Sequence, residues 1–252
     1  MFLVINRNKL IALAIVLILS LLVCVALGVT ATTTDVFERR LIPIYSVETD
    51  NNKVALTFDC AWGSEKTRAI MDMVEQAGYK CTFFMTGFWI NENQELVKEI
   101  HSRGHQLANH SENHPHLSKE SAEVLIREID GVNDKIEALT GIKPTCFRAP
   151  FGEYDNKMIK SLEERDMLCI QWSIDSLDWK GITGKEIAER VIKRLQQGDI
   201  VLFHNNSEHV LDALPLVLSV VKNKGLSAVR VDELVYFEGY TINSEGKQIK
   251  NS

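Results

Sequence analysis

Residues 54–63 read Val54-Ala55-Leu56-Thr57-Phe58-Asp59-Cys60-Ala61-Trp62-Gly63. The first five make an apolar run of strand length, which then stops in a carboxylate, a thiol, a tryptophan and a glycine. A short apolar run bounded by turn residues marks a buried strand. Similar runs recur at 81–85, 106–109, 145–147, 167–174, 200–204 and 227–231. Helical patterns fall between them, near 65–78, 91–103, 119–140, 156–165, 184–197 and 209–224. In the third, Leu125, Ile129, Val132, Ile136 and Leu139 recur at helical spacing and form one apolar stripe. Thr183 with Glu186 predicts a capping box opening the fifth helix. Gly78, Gly104, Gly141 and Gly225 follow helical patterns as stops.

Strands alternating with helices build a parallel sheet with helices outside it. Seven strands and six helices predict an α/β fold closed as a distorted barrel rather than an open sheet. In such a barrel the C-terminal ends of the strands converge on one mouth, where active sites are built. Polar clusters sit at those ends: Asp59 to Gly63, Asn109 to His116, Arg148 to Gly152, Asp175 to Trp179, and His204 to Asn206.

His110 and His114 are four residues apart, and three of the seven histidines fall in the window 110–116. Two imidazoles at that spacing suit a divalent transition metal such as Zn²⁺. Asp59 and His204 are a candidate base and acid for one reacting centre. Arg148, if its strand points into the mouth, needs a carboxylate partner, and Asp59 or Asp178 would serve. Trp62 and Trp179 offer flat faces for stacking a sugar ring.

The formal net charge of the 252-residue chain is −6. Arg7 and Lys9 are the only charges before Asp35, so −6 less those two positives leaves −8 for the rest. No basic face is evident, which argues against nucleic acid as a partner. Residues 10–29 carry no charge and are rich in Leu, Ile, Val and Ala. As a helix they would span about 30 Å, a bilayer's hydrocarbon thickness. The preceding positives keep the first residues cytoplasmic and export the chain beyond the segment. The segment is either an uncleaved membrane anchor or a signal peptide cut near Val29-Thr30-Ala31. The expected layout is a stub and anchor over 1–31, a linker and lead-in over 32–52, and one catalytic domain over 53–252. Cys60, Cys81, Cys146 and Cys169 each adjoin apolar runs and read as small buried thiols rather than a disulfide framework.

Taken in order, the five polar clusters resemble the motifs of the polysaccharide deacetylase family, which carries a NodB-type domain. The likeness runs from about Val54 to Val235. The lead-in Leu41-Ile42-Pro43-Ile44-Tyr45-Ser46-Val47, with Ala61-Trp62-Gly63, further resembles a sporulation-associated branch of spore-forming Firmicutes. The resemblance implies a metal-dependent hydrolase that removes N-acetyl groups from a cell-wall or spore glycan, such as peptidoglycan or a chitin-like oligosaccharide. It implies Asp59 as the base that activates water, with His110 and His114 as metal ligands. Arg148 would orient that base, and the backbone N–H of Phe151 would donate to the oxyanion. His204 would be the general acid and Asp178 the carboxylate that tunes it.

One position departs from the family pattern. The residue after the base is normally a second aspartate and the third metal ligand, and here it is Cys60. A thiolate can complete a zinc site at about 2.3 Å, so Cys60 is either a ligand facing His110 and His114 or a small packing residue. The second choice points to a catalytically weakened, glycan-binding relative. An unrelated metal hydrolase on a barrel is a third reading.

Overall fold

The computed structural model describes residues 6–32 and 39–251. Residues 33–38 of the expected linker lie outside the described residues, as do residues 1–5 ahead of the anchor. The chain divides into two compact units, Met1–Arg40 and Leu41–Ser252. The first carries α1 (Arg7–Thr32), a helix long and apolar enough over Arg7–Val25 to cross a membrane.

The second unit alternates strands and helices much as the patterning implies. Its strands begin with β1 (Ser46–Val47), β2 (Lys53–Cys60), β3 (Thr82–Met85), β4 (Gln106–Asn109) and β5 (Cys146–Phe147). They continue with β6 (Leu168–Cys169), β7 (Ile174–Asp175), β8 (Ile200–His204) and β9 (Ser227–Val229), then β10 (Tyr240–Ile242) and β11 (Lys247–Lys250). The helices between them are α2 (Thr67–Gln76), α3 (Gly87–Glu92), α4 (Gln94–Ser102), α5 (Ala122–Thr140), α6 (Asn156–Glu163), α7 (Gly184–Ile192) and α8 (Val210–Asn223). The Thr183–Glu186 capping box is formed at the start of α7. Gly78, Gly104, Gly141 and Gly225 all take the left-handed backbone that ends helices.

A curled parallel sheet runs β6-β5-β4-β3-β2-β8-β7, with β9 added beside β2. The stretch 167–174, expected as one strand, is two. Its first half, β6, pairs with β5, and its second half, β7, pairs with β8 at the opposite edge. One segment therefore supplies both edges, and the sheet bends round on itself through residues 170–173. Ile44 of the lead-in plugs this stretch, exchanging backbone bonds with Cys169 and Gln171 at 2.9 and 2.7 Å. The lead-in thus belongs to the folded unit. A three-stranded sheet, β1-β11-β10, has no counterpart in the sequence reading. Its strands are only two to four residues long, too short to show a period.

Alternation along β2 divides the core in two. Val54, Leu56, Phe58 and Cys60 face outward into the layer shared with the helices, together with Phe83, Met85, Val217 and Val221. Ala55 faces inward with Ile44, Phe84, Ala108 and Ile200. Asp59 has the inward parity, at the carboxyl end of the strand.

Candidate active site

Strand register brings the chemistry together. Asp59 is paired with His204 across β2 and β8, and Asn109 with Phe147 across β4 and β5. Asp59 and His204 thus stand on one level, and His110 and Arg148 each come directly after a paired residue. These ends open on a cavity of about 650 Å³. Asp59, His110, His114, Phe151, Trp62, Trp179 and His204 all line it. Trp62 and Trp179 are 68% and 58% exposed there, so their faces are available to a ligand. Arg148 and Asp178 stand behind the wall, each holding a lining residue.

Arg148 is fully buried, and its Nη1 donates to Asp59 Oδ1 at 2.6 Å. Its Nη2 donates to the Gln171 carbonyl at 3.1 Å, and its guanidinium lies 3.9 Å from the centre of the Phe84 ring. Burial alone would raise the Asp59 pKa. The Arg148 guanidinium, with a protonated His204, outweighs it and holds the carboxyl below the usual range.

Asp178, also buried, grips His204 twice: Oδ2 accepts the backbone N–H at 2.8 Å and Oδ1 accepts from Nδ1 at 2.7 Å. Burial pulls the imidazole pKa down, but the bond and charge of Asp178 overcome this and raise it above its ordinary value. His204 is therefore biased toward its protonated, acidic form.

His110 Nδ1 donates to the Arg148 carbonyl at 2.8 Å. Its lone pair is thereby placed on Nε2, which is 3.5 Å from Asp59 Oδ2. Burial lowers the pKa of His110, and burial with His110 nearby lowers that of His114 to about 4. Both rings are held neutral, the state a metal requires, with centroids 5.0 Å apart. The loop bearing them is pinned to α5. Glu128 accepts from the Asn113 backbone and side-chain N–H groups, each at 2.7 Å. Asn109 binds the Ile129 carbonyl and Asn133, each at 2.8 Å. Ser111 and His114 take left-handed φ values of 67° and 56° within this loop.

Cys60 is not with the histidines. Its sulfur is buried in the outer apolar layer, 3.8 Å from the Phe58 carbonyl, and is absent from the cavity wall. Burial, then Asp59 and Cys81, raise its pKa well above 9, so it is a thiol. The expectation of Cys60 as a zinc ligand is corrected by strand alternation: a residue next to an inward Asp59 points outward. Among the described residues no group of three His, Cys, Asp or Glu side chains could hold a metal. The donors present fit a metal held by two imidazoles and fall one short of a three-ligand zinc site.

Asp175, Asn205 and Asn206, which the sequence puts in the strand-end clusters without a part to play, line the wall, whereas sequence reasoning missed Trp172 in the wall and Glu128 and Asn133 behind the loop. The last two had a signal. They are polar residues beside the buried stripe of α5, where an unpaired polar group is costly.

Comparison with known proteins places this geometry among relatives. A family profile for polysaccharide deacetylase matches residues 46–170. The uncharacterized protein YlxY of Bacillus subtilis is 31% identical over 193 residues, 77% of this chain and 60% of YlxY. A peptidoglycan-N-acetylglucosamine deacetylase of Bacillus cereus is 33% identical over 76% of this chain and 92% of its own length. The peptidoglycan-N-acetylmuramic acid deacetylase PdaA of Bacillus subtilis is 28% identical over 76% and 74%. The chain spans less than two thirds of some relatives, YlxY among them. Among solved structures, BA3943 of Bacillus anthracis, a CE4 family pseudoenzyme, superposes with a TM-score of 0.74 at 27% identity, covering 83% of this chain and 73% of that one. A BA3943 mutant with restored enzymatic activity gives 0.74 at 30% identity, covering 81% and 72%.

Proposed function

The chain belongs to the polysaccharide deacetylase family, and from that premise we propose that it is an extracytoplasmic de-N-acetylase of a wall or spore glycan of the peptidoglycan type. The observation that carries this reading is a matched pair of proton-transfer groups in one cavity. Asp59 is held as a carboxylate by Arg148, and His204 is biased toward imidazolium by Asp178. A binding protein needs neither.

In the proposed reaction Asp59 takes a proton from water as it adds to the acetyl carbonyl. His204 gives a proton to the sugar nitrogen as the C–N bond breaks, leaving acetate and a free amine. Arg148 keeps Asp59 aimed and ionised. In this reading the Phe151 amide is the oxyanion donor, and its support is that Phe151 lines the cavity with a left-handed φ of 58°, a strained geometry that clusters at functional sites. Trp62 and Trp179 stack the sugar. A divalent metal held by His110 and His114 would add Lewis acidity toward the carbonyl.

One observation favours a second reading. With Cys60 turned outward only two metal donors remain, which suits a glycan-binding member with little or no turnover. Acetate release from acetylated chito-oligosaccharides and peptidoglycan, with metal content measured on the same sample, tests both. Acetate release supports the enzyme, whereas glycan binding without acetate replaces it with the second reading.

A further inference from the structure

Resting on the glycan-binding reading of this cavity, we propose that Trp89 and Asn205 are positioning residues that set glycan affinity by fixing the loop that carries Trp62.

Trp62 is 68% exposed, and its ring is flanked by Phe88 and His114, at 6.0 and 5.3 Å between centroids. So exposed an indole contributes fully to sugar binding only if its backbone is held beforehand, because ordering it on binding subtracts from affinity. The hold is at the next residue. Gly63 takes a left-handed φ of 66°, and its carbonyl accepts side-chain bonds from two different elements. Trp89 of α3 donates its indole N–H at 2.7 Å, and Asn205, just beyond β8, donates from Nδ2 at 2.9 Å.

Both donors are themselves anchored. Trp89 is buried, and Thr86, which caps its helix, donates a backbone N–H to the Cys60 carbonyl at 3.0 Å. Asn205 is buried as well, and its backbone N–H reaches the Asp59 carbonyl at 3.1 Å. Its Nδ2 also donates to Thr67 Oγ1 at 3.1 Å, at the start of α2. The loop is thus tied at Cys60, Gly63 and Thr67, with Trp62 projecting between the ties. Losing one such bond shifts a local equilibrium by about two- to tenfold, and affinity falls with the fraction of molecules whose loop is out of place. Trp89 is absent from the cavity wall, so its effect on binding has to pass through the loop. Asn205 does line the wall, and removing Trp62 separates positioning from direct contact.

The test measures chitotetraose affinity by titration calorimetry on the full chain in detergent. Asn205→Ala and Trp89→Phe are each made in wild type and in Trp62→Ala, and Tm is recorded for every variant. The phenylalanine keeps an aromatic ring in the core and removes only the N–H, so Trp89→Phe decides alone if Asn205→Ala does not fold. Each single variant is expected to bind about two- to tenfold more weakly than wild type, and Trp62→Ala more weakly than either. In the Trp62→Ala background the further loss should be under twofold, because residues acting through one side chain are not additive. Losses of the same size with and without Trp62 overturn the proposal, since they show direct contact or a general effect on the fold. So does wild-type affinity in both single variants or in Trp62→Ala, and these results leave the glycan reading standing. Failure of wild type to bind chitotetraose overturns the glycan reading and this proposal together.

Discussion

Asp59 and Cys60 are adjacent in sequence, and the pleat sends them to opposite sides of β2. Their expected mutational behaviour therefore differs in kind. Asp59→Asn keeps shape and hydrogen bonding but cannot take a proton, so acetate release should fall about 10²–10⁴-fold with the fold intact. Activity within a few-fold of wild type would remove Asp59 as the base. Cys60→Ala should leave metal affinity unchanged and cost about 1 kcal/mol of stability as a small cavity in the outer core. Metal loss measured by chelator competition would show that the sulfur reaches the site after all. At His204 the sign of the pH effect is set by Asp178. Catalysis that needs the protonated ring is lost as pH rises through its pKa. With Asp178→Asn the raising partner is gone and burial acts alone, so the alkaline limb of the pH–rate profile should move to lower pH. An unmoved limb would detach that limb from His204. At this scale the sequence was informative because chemistry sits where apolar runs stop. It left the partner of Arg148 open between Asp59 and Asp178, and it was ambiguous at Cys60, where the direction of a side chain depends on whether the backbone stays in strand geometry for one more residue.

At the scale of elements, the histidine loop and α5 act as one unit. The loop runs in left-handed turns that need outside support, and Glu128 supplies it with two bonds to Asn113. Glu128 is buried and touches neither the cavity nor its contents, so it is a positioning residue. Glu128→Ala should lower Zn²⁺ affinity at the two-histidine site by about tenfold while shifting Tm by only a few degrees, since bonds to a charged group contribute about 1.5–3 kcal/mol. Equal Zn²⁺ affinity by competition titration would confine Glu128 to a structural part. Most elements were legible, because α5 shows its stripe and β2, β4 and β8 show their runs. The division of 167–174 into β6 and β7 was not. The stretch carries no charge to mark a break, and the break is imposed from outside by Ile44, far from Ile170 in sequence but bridged to it. The small β1-β11-β10 sheet escaped for a related reason, since β1 finds its partner at the far end of the chain.

For the whole molecule, the question is how a hydrolase-like unit is kept at its polymer. The unit Leu41–Ser252 has its own inner and outer cores and buries Arg148, Asp178 and Trp89 within them. No residue of the apolar stretch Arg7–Val25 is buried, and among the described residues of its own unit nothing packs over it. Left in water, a row of Leu, Ile and Val side chains mostly at over 50% exposure is strongly unfavourable, and a bilayer removes that cost by about 0.3–0.6 kcal/mol for each such residue. In the proposed arrangement Arg7 and Lys9 stay on the cytoplasmic side and the remainder of the chain is exported toward wall glycan. The full-length protein is therefore expected to sediment with membranes and to stay there through a high-salt wash, because salt screens charge contacts and leaves hydrophobic insertion intact. A version starting at Leu41 should be soluble and bind glycan as the full chain does. Release by salt would mark the association as peripheral. A mature N-terminus near Thr32 in cells would mark the segment as a cleaved signal. In the anchored case catalysis is confined to polymer within reach of the membrane face, which favours nascent wall strands over finished outer layers.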